Sequence, residues 1–182
     1  VSGWRKIAAN ITLYSNKNGV IEQFKNYFKL KEVRLIETDE NGLPILPDNW
    51  QSKNLAKTQL IKQGDVVMAL YLLDSAFSGK TKRVNYDYYL RRTVHNSSLS
   101  ASIYAIMACI CKDFKTAYSL FNVSLRADIS NIYGNTNEGI HAASLGGAWQ
   151  AIVFGFCGLN TVKDSLRIDP ILPRTWQEIS FN

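Results

Sequence analysis

Residues 135–159 read NTNEGIHAASLGGAWQAIVFGFCGL, and this stretch sets the class of the chain. Across residues 140–156 there is almost no charge, so a helix here can turn little of its surface to water. Asn135 and Thr136 are good N-cap types, because their side-chain oxygens accept from the free N–H groups of a first turn. Glu138 then falls in the first turn, where an acid suits the dipole. Gly146 and Gly147 stand inside the helix at a cost of about 1 kcal/mol each relative to alanine. That cost makes sense where another helix or a ligand approaches the backbone. His141 is the titratable side chain beside the free N–H groups, where an anion would sit. A structural hydrogen-bonder and an anion ligand both fit this placement.

Around this stretch lies a globular chain of 182 residues, 46% hydrophobic and 20% charged, enough to bury a core. The net charge of +6 and a pI near 9.2 tolerate anionic partners. The basic residues are scattered, and no basic stripe with interleaved aromatics suggests nucleic-acid binding. Cys109, Cys111 and Cys157 do not make a disulfide framework and read as buried free thiols of a reducing cytoplasm. Cys109 and Cys111, two apart on one helix, point to different faces, which argues against a metal site. No apolar run reaches transmembrane length, so no membrane partner is expected. The opening VSGWRKIAANI sits inside an amphipathic pattern without an initiating methionine, as expected for a piece of a longer protein.

Taken in order, residues 2–11 predict a helix with Trp4, Ile7, Ala8 and Ile11 on one face. Residues 12–50 are irregular, with Asn18-Gly19, Asn41-Gly42, Pro44 and Pro47 as turn signals and Phe24, Tyr27 and Phe28 as an aromatic patch on the core. Residues 58–73 predict a helix in which Lys62 and Gln63 either hold hydroxyls or mark its wet end. Residues 78–92 read as a polar linker. Asn96, Ser97 or Ser98 caps a helix over 98–111, Lys112-Asp113 turns the chain, and 114–127 returns as the second arm of an antiparallel hairpin. Residues 164–168 alternate as a strand does, and 176–181 alternate less strictly.

Several blocks then carry a resemblance together. They are Lys62-Gln63-Gly64-Asp65-Val66-Val67, Arg92-Thr93-Val94-His95-Asn96-Ser97-Ser98-Leu99-Ser100 and Gly134-Asn135-Thr136-Asn137-Glu138-Gly139-Ile140-His141-Ala142-Ala143-Ser144. Gly155-Phe156-Cys157-Gly158-Leu159 and Asp169-Pro170-Ile171-Leu172-Pro173 complete the set. In this order the blocks resemble glycoside hydrolase family 65, which includes maltose, trehalose, kojibiose and nigerose phosphorylases. The resemblance runs from about Gly19 to the end of the chain. It implies a mostly α fold. Residues 1–160 would be the C-terminal part of an (α/α)6 barrel, and 161–182 the start of a C-terminal β-sheet domain.

The resemblance also implies inverting phosphorolysis, in which a glutamic acid protonates the glycosidic oxygen while inorganic phosphate attacks the anomeric carbon from the opposite face. Phosphate is already an anionic nucleophile, so the base that an inverting hydrolase needs for its water is not required. By resemblance, Lys62 and Gln63 hold the glucosyl unit, and Ser97, Ser98 and His141 bind phosphate. Asn96 stands where relatives often carry Asp. The family's general acid lies in a block with no counterpart here, so the chain would carry part of a site. No cofactor is implied beyond phosphate as co-substrate. The partners are a disaccharide and phosphate, and a homodimer of the full-length protein stays open. A hydrolase of the same family, such as a trehalase, and a non-catalytic helical module that binds sugar or protein are the alternatives.

Overall fold

The computed structural model describes residues 2–47, 55–162 and 164–180. Within them the chain is mostly helical, with six α-helices and one two-stranded sheet. The helices are α1 (Ser2–Asn10), α2 (Asp65–Leu72), α3 (Gly79–Leu90), α4 (Ala101–Ile110), α5 (Phe114–Leu125) and α6 (Ala142–Gln150). Helix α6 continues directly into a π-helical segment, Ala151–Phe156. The strands β1 (Asn160–Val162) and β2 (Ser165–Arg167) form an antiparallel hairpin that pairs Thr161 with Leu166.

Helix α4 is the axis of the core. It is buried at every position except Ile103 and Ile110, and it packs against α2, α3, α5, α6 and the π-helical segment. The α4–α5 hairpin forms as the sequence predicts. Lys112 turns the chain at φ 58°, and Asp113 caps α5 by accepting the Thr116 N–H at 3.2 Å. Helix α4 starts later than its serines suggest, with Ser100 at the N-cap position and no side-chain cap. Ser97 Oγ accepts from the Leu99 N–H at 3.3 Å, so the run closes a turn on itself before the helix begins.

Two sequence expectations are overturned here. Residues 58–64 do not join α2. Their backbone pairs with two other extended segments: the Gln59 N–H donates to Lys31 O at 2.9 Å, and the Ile61 N–H to Arg92 O at 2.8 Å. Leu60 thereby packs with Leu35 and Val94 in a small core of its own. Gly64 ends the segment against Tyr104, leaving no room for a side chain: a Cβ there would lie 2.5 Å from the Tyr104 ring. The second correction concerns residues 78–92, most of which, Gly79–Leu90, are helical as α3. Ser78 caps that helix, its Oγ accepting the Thr81 N–H at 3.1 Å. Its buried side is Lys82, Asn85, Tyr86 and Tyr89, at helical spacing but composed of polar types. Burial is possible because each polar atom has a partner: Asn85 accepts from the Ile21 N–H at 2.8 Å, Tyr86 donates to Asp113, Tyr89 to Ile21 O, and Lys82 pairs with Asp74.

Helix α1 has the expected span, yet none of its residues is buried and Trp4 is 77% exposed. The loop after it keeps its turns at Gly19 and Gly42. Tyr27 is fully buried against Tyr89, and Phe28 packs edge-on to Tyr88, as the aromatic patch predicts. Phe24 stays half exposed. Trp50 lies outside the described residues. Near the C-terminus, Trp176 forms no strand and instead packs on Phe121 and Phe156.

The stretch at 135–159 is also corrected in detail. Residues Thr136–Glu138 make a separate 3-10 turn, ended by Gly139 at φ 131°. Helix α6 therefore begins at Ala142, with His141 as its N-cap, and Asn135 and Glu138 lie outside it. The apolar face is only partly covered, for Ile140 and Trp149 are 75% and 58% exposed. Gly147 meets α4 at Ser102, as a close helix approach requires, whereas Gly146 faces open space.

Candidate functional site

Two segments converge beside the start of α6. The first is the extended run Arg92-Thr93-Val94-His95 that leads into the serine turn. Buried Arg92 anchors it, stacking 3.6 Å above the Tyr88 ring, donating to Tyr88 O at 2.8 Å and pairing with Glu32. Thr93 Oγ1 donates to Tyr89 O at 2.9 Å and takes the Tyr104 hydroxyl at 2.6 Å. His95 then adopts the left-handed region at φ 53°, which swings the chain into the turn. Its imidazole is wholly buried edge-on to Tyr104, and burial pushes its pKa down to about 3. The neutral ring places Nδ1 at 3.1 Å from Ser100 Oγ, whose hydroxyl reaches Ser97 O at 3.3 Å.

The second segment is the connection from α5 to α6. Asp128 grips His141 twice. One carboxylate oxygen accepts the His141 N–H at 2.8 Å, and the other lies 2.5 Å from His141 Nδ1. The hydrogen bond from the ring, then that from the backbone, holds the Asp128 carboxyl below its usual range. Tyr133 packs at 5.6 Å from the His141 ring, and its hydroxyl donates to Ser97 O at 3.3 Å. From the first turn of α6, Ser144 Oγ donates to Ser98 O at 3.3 Å.

These contacts bring Gln63, Ser97, Ser98 and His141 into one neighbourhood. Gln63 Nε2 donates to Ser97 Oγ at 3.3 Å, which joins the segment before α2 to the serine turn. Lys62 is exposed, and among the described residues no hydrogen bond or ion pair ties its ammonium to the others. Sequence reasoning missed Asp128, Tyr133, Ser144 and His95. Asp128 lies 13 residues before His141, and no local spacing marks the pair.

A cleft of 340 Å³ opens at this junction, lined by Gln63, Asp65, Ser100, Tyr104, Ala143 and Gly147. A larger cleft of 590 Å³, between α2, the π-helical segment and the β-hairpin, touches none of the sequence-predicted site residues. The smaller one takes in Gln63 and lies beside the serine turn to which Gln63 is bonded, which makes it the better candidate. The lining itself offers hydrogen bonding from the Gln63 amide and the Ser100 and Ser102 hydroxyls, while Ser97, Ser98 and His141 precede or flank lining residues in the chain without lining the cleft. Asp65, tied to Gln23 Nε2 at 3.0 Å, is the acid that lines this cleft. Among the described residues no group of His, Cys, Asp and Glu could hold a metal ion. The three cysteines are unpaired, and burial pushes the Cys109 and Cys111 thiols up to about 12 and 11. No described helix is long and apolar enough to cross a membrane.

The chain has known relatives. The model of the glycosyl hydrolase family 65 central catalytic domain matches residues 1–150. Kojibiose phosphorylase of Caldanaerobacter subterraneus is 44% identical over all of this chain and 24% of its own length. Maltose phosphorylase of Bacillus subtilis is 34% identical over 98% of this chain and 24% of its own length. A solved structure of a candidate kojibiose phosphorylase from the human microbiome superposes with a TM-score of 0.78 at 36% identity, over 91% of this chain and 23% of that one. The chain thus spans about a quarter of the length of its curated relatives, with 24% and 23% of the first two covered. On its sequence and its fold, the chain belongs to glycoside hydrolase family 65, with residues 1–150 matching the central catalytic domain.

Proposed function

We propose that this chain is the glucose- and phosphate-binding part of an inverting α-glucosyl disaccharide phosphorylase, which converts disaccharide and phosphate to β-glucose 1-phosphate and a free sugar. The hydrogen bond from Gln63 to Ser97 carries the reading, because it joins the sugar-holding segment to the anion-holding turn. Lys62 and Gln63 hold the glucosyl hydroxyls. Ser97, Ser98 and His141 hold phosphate beside the anomeric carbon, using two hydroxyl donors and a ring nitrogen at a helix N-terminus, where the dipole favours an anion. Such a site orients the nucleophile without neutralising it, and orientation supplies much of the rate. The proton for the leaving sugar comes from a residue outside these 182. In the parent protein, residues 1–160 form part of an (α/α)6 barrel and 161–182 begin a β domain; the β1–β2 hairpin supports that division.

The test is product analysis of the full-length parent on kojibiose, maltose and trehalose, with and without phosphate. Phosphate-dependent release of β-glucose 1-phosphate from one of them supports the reading. Glucose release that ignores phosphate makes the protein a hydrolase of the family, and no turnover at all favours a binding module.

A further inference from the structure

We propose that Asp128 is the positioning residue of the phosphate site, gripping both the backbone and the ring of His141 so that Nε2 alone meets the anion. The inference rests on the reading of His141 as a phosphate ligand. Asp128 lies just beyond α5, and its two oxygens take the two donors that His141 presents on one side, at 2.8 Å from the backbone nitrogen and 2.5 Å from Nδ1. Both side chains are largely shielded, at 16% and 13% exposure, so water competes weakly for the contact. The grip on the N–H fixes where α6 begins. The grip on Nδ1 fixes the ring about its side-chain torsions, and Tyr133 supports the ring and links it to Ser97 O.

The grip also decides the tautomer. An ionised carboxylate accepts only, so Nδ1 carries a proton and Nε2 is the nitrogen left free. A neutral ring then offers a lone pair at Nε2, and a protonated ring offers an N–H. Phosphate oxygens need the donor, or phosphate must bring its own P–OH. In either case one proton lies between Nε2 and a phosphate oxygen, and no other proton moves. A ring flipped to the other tautomer would turn its N–H away from Asp128 and leave a carboxylate facing a lone pair. Asp128 therefore acts on phosphate through His141 and has no part in holding the sugar.

The experiment is a double-mutant cycle in the full-length parent, with phosphate and disaccharide KM measured separately. Asp128→Asn keeps the volume and one acceptor but removes the charge and the second acceptor. It is expected to raise the phosphate KM about tenfold, within the range for directly contacting residues, and to leave the disaccharide KM unchanged. In the His141→Ala background the same substitution should lose most of its effect on the phosphate KM, because there is no ring to position and only the grip on the backbone N–H remains. Should Asp128→Asn not fold, Asp128→Glu, which moves the carboxylate one methylene outward, takes its place with the same expected split. An unchanged phosphate KM, an equal rise in both KM values, or a full effect without the imidazole overturns the proposal. If His141→Ala itself leaves the phosphate KM unchanged, the phosphate-ligand reading falls and this proposal falls with it. If His141→Ala raises it and Asp128→Asn does not, only the role of Asp128 falls.

Discussion

Gln63 touches both halves of the proposed site, since its amide donates to Ser97 Oγ while its segment borders the cleft. Gln63→Ala should therefore weaken the sugar and also raise the phosphate KM by about three- to tenfold, the loss of one ordinary hydrogen bond. Steady-state kinetics with each substrate varied would show it, and a pure sugar effect would mean that the contact is idle. His95 lends itself to a pH experiment. Its folded pKa is pushed down to about 3 by burial, below the usual value of about 6.5. Between those values the unfolded chain binds the extra proton, so stability is complete above about 6.5 and falls as the pH drops towards 3, by up to about 1.4 kcal/mol per pH unit. His95→Gln should flatten that part of a melting-temperature profile, although it lowers the profile as a whole. At this scale Gln63, Ser97, Ser98 and His141 were legible as motif residues, with their binding roles implied by the family resemblance alone. Their supports were not. Asp128 and Tyr133 reach the site only through the turns of the α5–α6 connection, where Asn131 and Gly134 take left-handed φ.

Gly146 and Gly147 look alike in sequence but face different surroundings in α6. A Cβ on Gly147 would lie 2.6 Å from Ser102 Cβ, close to the α4 backbone, so α4 itself must shift to admit it. A Cβ on Gly146 meets nothing within 4 Å. Gly147→Ala should destabilise by about 1–3 kcal/mol through overpacking, whereas Gly146→Ala should stabilise the helix by up to about 1 kcal/mol. Melting curves of the two variants would check the contrast, and equal effects would mean that α4 and α6 do not pack as described. The elements also show where hydropathy misleads. The α4–α5 hairpin was legible because apolar spacing and the Lys112-Asp113 turn agree. Helix α3 was not, because its buried face is made of tyrosine, asparagine and lysine, whose polar atoms find partners only in the folded state. Residues 58–64 read as the start of a helix since their extended form depends on pairing with segments about 30 residues away on either side.

On the scale of the molecule, the described chain exposes more apolar surface than a finished domain would. Trp4, Ile7 and Ile11 on and just after α1, Ile140 before α6 and Trp149 in it are all more than half exposed, at 77%, 57%, 67%, 75% and 58%. Patches beyond a few hundred Å² usually mark an interface. Expressed alone, residues 1–182 should self-associate or bind a hydrophobic dye, and a monodisperse, dye-silent monomer at high concentration would speak against it. Lacking the proposed proton donor, the isolated chain should also show no phosphorolysis; a general acid contributes about 10²–10⁴-fold. The helical class was legible from apolar periodicity and the resemblance, and the family from five motif blocks in order. The exposure of α1 and α6 was not, because periodicity reports that a face is apolar and not what covers it. The most direct test of the account is the phosphate KM of the full-length parent at saturating disaccharide, wild type against His141→Ala. A hydrogen bond to a charged group is worth about 1.5–3 kcal/mol, so the account predicts a rise of about ten- to a hundredfold with the disaccharide KM unchanged. An unchanged phosphate KM, beside a lowered melting temperature, would contradict it and make His141 a purely structural residue.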